Sequence, residues 1–292
     1  MTSTPHSTDI PADPIIDVRG AAFHYEDGTE ALSRIDLAVR PGEFLALIGT
    51  NGSGKTTLSK CLNGILKVTS GTVTVDGRRI DRDTRTSELI ASIGYVFQNP
   101  DHQLFNARIQ DEIAYAPRNL GLDADEVDRR VREAARTAGI GEHLFDEHPF
   151  FQPKGMRQRV AIASILSLRP KIIVVDEPTT GQDYRQSMEV MHFLKDLNEQ
   201  HGHTIIVITH DMDIVAEFAH RVVAMTAGRI IIDGPTRDVM SRPEDIARAD
   251  LMPPVITQLA QSLGDLGVPG DVLDEDELVA AWASLTRREL SA

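Results

Sequence analysis

The chain of 292 residues is predicted to fold as an α/β protein with a helical insertion and a small helical appendage, on three patterns. Short apolar stretches broken by turn signals run from Ile15 to Ile48. Lys171 to Asp176 and Thr204 to Thr209 read as buried strands on either side of a helical segment, the alternation of a parallel sheet covered on both faces. Between about Gln103 and Leu168 the character turns helical.

Taken in order, residues 1–14 carry Ser, Thr, Pro and Asp with no Lys or Arg before Arg19. They read as a disordered tail without the charged and apolar regions of a secretory signal. The turn signals Glu26-Asp27-Gly28 and Arg40-Pro41-Gly42 divide antiparallel strands, and Thr72 to Gly77 repeats the strand-and-turn pattern. Lys55 to Leu62 reads as helix. In the insertion, Asp125 to Ala138 is rich in charge and alanine, and Gln158 to Leu168 has a broad apolar face. A further helix is expected from about Tyr184 to His201. From Pro243 the text reads as an appendage, with Pro253-Pro254, glycines 267 and 270, and a final helix from Asp274 to about Leu290. Acids at that helix's start and Arg287 and Arg288 near its end complement its dipole. The expected division is therefore a tail (1–14), a main domain (15–242, helical subdomain about 103–168) and the appendage (243–292).

Composition narrows the function classes. Against 30 Lys+Arg stand 44 Asp+Glu, a formal charge of −14, which argues against nucleic acid as a partner because phosphate backbones are met by clustered cations. The single cysteine, Cys61, excludes an internal disulfide, fits a reducing cytosol and falls in a helix where a small buried side chain is its expected role. No apolar run approaches the ~20 residues that cross a bilayer.

Gly49-Thr50-Asn51-Gly52-Ser53-Gly54-Lys55-Thr56 follows the apolar run Phe44 to Ile48 and opens a helix. This is the G-x-x-x-x-G-K-[ST] phosphate loop in the context it needs, so the chain is expected to bind a nucleoside triphosphate. Backbone N–H groups curl around the phosphates, Lys55 reaches the outer ones, the Thr56 hydroxyl ligates Mg²⁺, and Thr57 completes the nucleotide-binding set. Asp176 and Glu177 end a buried strand at the edge where open α/β sheets bind ligands. Asp176 suits the role of magnesium holder and Glu177 that of the base that polarises the attacking water.

From about Tyr25 to Gly234 the sequence resembles the nucleotide-binding subunits of ATP-binding cassette transporters. That resemblance implies a P-loop NTPase cassette with an antiparallel β subdomain, a RecA-like parallel core and a helical subdomain, working with ATP and Mg²⁺. Gln98, after Tyr95-Val96-Phe97, matches the family's glutamine loop, implying a contact to Mg²⁺ or water and a link to a membrane partner. His210 matches the switch histidine, Thr180-Gly181-Gln182-Asp183 the loop that signals between subunits, and Tyr25 the aromatic that stacks on adenine. Lys55, Glu177, His210 and Gln98 form the implied catalytic set, with Thr56, Gln98 and Asp176 around the metal.

One segment departs from the family's pattern. Where the family has Leu-Ser-Gly-Gly-Gln before a helix starting Gln-Arg, this chain has Gln152-Pro153-Lys154-Gly155-Met156 before Gln158-Arg159. Pro153 removes a hydroxyl and a backbone donor, and Lys154 replaces a glycine that permits close approach to phosphate. A weak donor to a nucleotide across an interface is expected, and hence a heterodimer whose other subunit carries an intact segment.

Val96 to Phe105, continued by Asp111 to Leu122, is similar to the ATPases of energy-coupling factor importers, the cobalt and vitamin uptake group. The resemblance implies a peripheral protein on the cytoplasmic face of the membrane, with a second ATPase subunit, a transmembrane coupling subunit and a membrane subunit that captures a vitamin or transition-metal ion. Leu104 and Phe105, exposed in a loop, would fit an apolar docking groove for coupling helices; packing of the helical subdomain is the alternative role for them. Two other classes stay open: a regulatory cassette that binds ATP with little turnover, and a soluble cassette outside transport.

Overall fold

The computed structural model describes residues 13–289. The expected tail lies outside them apart from Asp13 and Pro14, as do Leu290 and the side chains of Arg287 and Arg288. The strands and helices, in chain order, are β1 (Ile16–His24), β2 (Glu30–Val39), β3 (Phe44–Ile48), α1 (Lys55–Leu62), β4 (Ser70–Val75), β5 (Arg78–Ile80), β6 (Ile93–Val96), α2 (Ile109–Asn119), α3 (Ala124–Thr137), α4 (Lys154–Leu166), β7 (Ile172–Asp176), α5 (Tyr184–Glu199), β8 (Thr204–Ile208), α6 (Met212–Phe218), β9 (Arg221–Thr226), β10 (Arg229–Pro235), α7 (Thr236–Met240), α8 (Pro243–Ala247), α9 (Val255–Ser262) and α10 (Glu275–Glu289).

Two sheets result. The smaller is antiparallel, in the order β2-β1-β4-β5, and the larger runs β10-β9-β3-β8-β7-β6. In the larger sheet only β10 is antiparallel to its neighbour. Every residue of β3, β7 and β8 is buried, as the unbroken Leu, Ile and Val text requires when both faces are covered. Phe44–Ile48, which closes the alternating N-terminal region, joins this sheet rather than the antiparallel one, pairing in parallel with β8 and β9.

One apolar core lies between the two sheets and includes α1. There Cys61 is buried beside Leu58 and Leu62, and burial pushes its thiol up to about 12. A second core joins the other face of the large sheet to α2, α3, α4, α5 and α6. Leu104 belongs to this second core at 3% exposure, which corrects the expectation that it stands free in a loop. The cause is Gln103, whose amide donates to Ala161 O and Ser164 Oγ on α4 and draws the loop inward. Phe105 does stand out, edge-on to Tyr115.

Beyond β10, Ile246 and Ala249 pack with Ala46 and Ile48 of the main sheet. A separate small core forms around Ala260, Val268 and Val272. It is tied back by the Arg237 ion pair with Glu277, whose amide is capped by Asp274. Buried Arg221 binds Asp233, Glu43 and the Ala38 carbonyl, joining the rims of the two sheets.

Candidate functional site

The parallel strands β3, β6, β7 and β8 all deliver their carboxyl ends to one edge of the large sheet, and the candidate residues lie just beyond them. After Ile48 the chain makes a bowl that is legal only for glycine at its two narrow points. Gly49 has φ of 142°, and a Cβ there would lie 2.3 Å from the Met225 carbonyl oxygen of β9. Gly54, the residue before α1, has φ of 105°, and its Cβ would lie 2.7 Å from Ala31 O. Backbone can approach so closely only where no side chain intervenes. The loop is further held by the Gly228 N–H, which donates to Ser53 O at 3.0 Å.

Lys55 Nζ lies inside this bowl, donating to Gly49 O at 2.7 Å and Thr50 O at 2.9 Å. Burial lowers its pKa, opposed by the charges of Glu177 and Asp176. Thr57, in the first turn of α1, shares a 3.0 Å hydrogen bond with the Tyr25 hydroxyl. Tyr25 stands just past β1, braced edge-on by Phe23 with ring centroids 5.0 Å apart and 43% exposed. An aromatic face is thus presented beside the phosphate loop.

At the end of β7, Asp176 Oδ2 accepts from the Tyr95 hydroxyl at 2.7 Å and from Thr56 Oγ1 at 3.4 Å. Burial raises the Asp176 pKa; the bonds from Tyr95 and Thr56 pull it back, while the neighbouring Glu177 charge adds to the rise. The next residue, Glu177, holds φ of 44°, a left-handed conformation without glycine. Such backbone costs about 1–3 kcal/mol and persists where surroundings over-determine it.

Those surroundings are visible. The Glu177 N–H donates to Ile208 O at 2.8 Å. Gln98 Nε2 donates to Oε2 at 3.2 Å and Thr180 Oγ1 donates to the same oxygen at 2.7 Å. His210 Nδ1 lies 3.1 Å from Oε1. Gln98 follows β6 and His210 follows β8, so the ends of three strands, β6, β7 and β8, converge on one carboxylate. Asp211, next to His210, caps α6 through the N–H groups of Asp213 and Ile214 and fixes where the imidazole emerges.

The segment Gln152 to Met156 has its own contacts. Helix α4 starts at Lys154, earlier than Gln158, with Pro153 O accepting the Arg157 N–H at 3.0 Å. Pro153 is the N-cap residue, with φ of −54° and no side chain to cap the first turn. Lys154 Nζ donates to Thr180 O at 2.5 Å, and Gln182 Nε2 donates to Pro178 O at 2.8 Å inside the same turn. Asp183 caps α5 by accepting the Gln186 N–H at 2.8 Å.

Two side chains here escaped the sequence reading, Tyr95 as the partner of Asp176 and Thr180 as a donor to Glu177. The signal for Tyr95 was available: a tyrosine within the apolar strand Ile93–Val96 must find a partner for its hydroxyl. The Thr180 contact depends on how the turn after Pro178 closes, which no sequence period encodes.

Comparison with known proteins identifies the family. Residues 32–180 match the family model described as ABC transporter. A putative ABC transporter ATP-binding protein of Caldanaerobacter subterraneus subsp. tengcongensis is 48% identical over 255 residues, 86% of this chain and 44% of that protein. The chain thus spans less than half the length of that relative. The energy-coupling factor transporter ATP-binding protein EcfA of Methanocaldococcus jannaschii is 40% identical over 250 residues, 85% of this chain and 89% of that one. The solved structure of cbiO1 from Clostridium perfringens, part of the ABC transporter complex cbiONQ, superposes with a TM-score of 0.74 at 39% identity, covering 85% of this chain and 99% of that one. A family model over the phosphate loop and both acids, and a relative aligned along most of both lengths, establish that this chain belongs to the ABC transporter family, among its energy-coupling factor ATP-binding subunits.

Proposed function

We propose that the chain binds and hydrolyses ATP as one half of a heterodimeric pair that powers an energy-coupling factor importer. The observation that carries this reading is the convergence of Gln98, Thr180 and His210 on Glu177, one residue beyond Asp176.

The residues fit the nucleotide and its metal. The bowl at Gly49 is one that a Cβ would fill, and Thr56 and Asp176 are hard oxygen donors 3.4 Å apart, the chemistry magnesium takes. Thr56, Asp176 and Gln98 would hold Mg²⁺, which when bound neutralises charge building on the phosphate oxygens. Tyr25 and the loop from Gly49 to Thr57 position the nucleotide, and Lys55 exchanges carbonyl partners for phosphate oxygens. Glu177, its Oε2 engaged by Gln98 and Thr180, is oriented to take the proton of the attacking water. General-base catalysis of this kind contributes about 10²–10⁴-fold. His210, mostly exposed, holds Oε1 and can reach a terminal phosphate brought to the loop.

A foreign protomer would close the site from above. In its turn this chain's Pro153-Lys154 segment would cover the partner's nucleotide poorly. Among the described residues no helix is long and apolar enough to cross a membrane. Attachment at the cytoplasmic face would come from a transmembrane coupling subunit, and choice of a vitamin or transition-metal cargo from a separate capture subunit. That cbiO1 is part of the cbiONQ complex supports such an assembly. Co-purification with detergent-solubilised membrane subunits, followed by an ATPase assay of the chain alone and of the complex, tests the reading. Turnover dependent on the second ATPase is the expected outcome; equal turnover by the chain alone refutes the heterodimeric part.

A further inference from the structure

Lys154 stands where the family pattern has a glycine, and its side chain is engaged within its own chain. The ammonium donates to Thr180 O at 2.5 Å, and no carboxylate pairs with it among the described residues. It is packed so closely that a Cβ at Gly181 would lie 2.8 Å from Nζ. Thr180 is also the residue whose hydroxyl reaches Glu177 Oε2 at 2.7 Å and whose N–H closes the turn on Glu177 O at 3.3 Å. The backbone of the turn from Glu177 to Thr180 therefore has four ties to residues outside it: Ile208 O on the Glu177 amide, the Gln182 side chain on Pro178 O, the Gln182 amide on Thr179 O, and Lys154 on Thr180 O. Of these only Lys154 belongs to α4 of the helical subdomain.

We infer that Lys154 is a positioning residue for the reaction in its own chain: from α4 it clamps the Thr180 carbonyl, so that the Thr180 hydroxyl stays directed at Glu177. The inference rests on the ATPase reading above and extends it. The substitution that weakens this segment toward a partner's nucleotide strengthens the carboxylate at home, and ties that carboxylate's orientation to the helical subdomain. The lysine acts through Thr180 and touches no reacting atom.

The test uses the full chain in complex with its partner subunits and compares Lys154→Met, Lys154→Arg, Thr180→Val and the Met/Val double variant. Lys154→Met is expected to lower kcat about three- to tenfold with KM for ATP unchanged, and Lys154→Arg to recover most of it. In the Thr180→Val background Lys154→Met should add little, because the two changes break one path. Amide hydrogen exchange on the full chain should show residues 177–183 exchanging faster in Lys154→Met. Unaltered kcat and exchange, a loss that falls on KM, or full additivity with Thr180→Val would each overturn the clamp. If the unmodified complex hydrolyses no ATP, the ATPase reading falls by itself, and the exchange comparison still decides whether Lys154 holds the turn.

Discussion

The nucleotide edge of the large sheet and the first turn of α4 are both surfaces that phosphate chemistry would use, and they are prepared in opposite ways. At the sheet edge every charged group is held by several partners: Lys55 by two loop carbonyls, Asp176 by Tyr95 and Thr56, and Glu177 by Gln98, Thr180 and His210. At the start of α4 no side chain caps the helix, proline takes the place of a donor, and the lysine faces its own chain. On the proposed heterodimeric reading, such a contrast would describe a protein complete in one half of a shared site and deficient in the other. It teaches that preparation of one surface does not require preparation of the other, as expected if each were to serve a different nucleotide.

The sharpest way to break that contrast is Glu177→Gln. It keeps shape and hydrogen bonding yet removes the base, so turnover of the complex should fall by about 10²–10³-fold while ATP binding survives. Measured kcat near that of the unmodified complex would place the working site on the partner instead. Next is Tyr95→Phe, which takes from Asp176 its shortest hydrogen bond. Bonds to charged groups contribute about 1.5–3 kcal/mol, so turnover should drop about tenfold, checked by steady-state kinetics across magnesium concentrations. Smaller still is Pro153→Ser, which restores an amide donor, a hydroxyl and an N-cap. Assayed in the Glu177→Gln background, where only the second site can turn over, it should raise the residual rate about two- to fivefold.

The least of these effects is on stability. Asp176 has a pKa raised by burial, so the fold favours its neutral form and the ionised side chain weakens the native state. Asp176→Asn should therefore stabilise the magnesium-free chain by about 1 kcal/mol near neutral pH, read as a melting temperature about 2–4 °C higher. The sign follows from proton counting: the native state binds more protons than the unfolded one as pH rises above the ordinary carboxylate value, and stability declines through that window. Below it both forms are uncharged, and the gain should vanish in thermal melts at acid pH.

Much of this was readable before the structure. The phosphate loop and the two acids announce themselves because each needs particular residue types at fixed spacing, and the buried strands β7 and β8 follow from unbroken β-branched text. Less legible were contacts made across turns. Leu104 looked exposed because it sits in a loop with no period to assign it a face, yet the Gln103 amide anchors that loop to α4 and Leu104 is buried. The start of α4 looked like a loop because the family pattern drew attention to Gln158 and Pro153 offers no side-chain cap, although the helix already begins at Lys154. Likewise Thr180 O as a receptor for Lys154 is a matter of backbone direction, which no side-chain pattern encodes.

The burial of Cys61 has a practical consequence for watching this machine move. The lone sulfhydryl, on the buried face of α1, is reluctant to ionise, so maleimides and iodoacetamides should pass the native chain by. A Tyr184→Cys replacement, at a position 79% exposed at the head of α5, would then carry a dye or spin label without background. Subunit approach and separation could be followed as a distance, on an otherwise unaltered polypeptide.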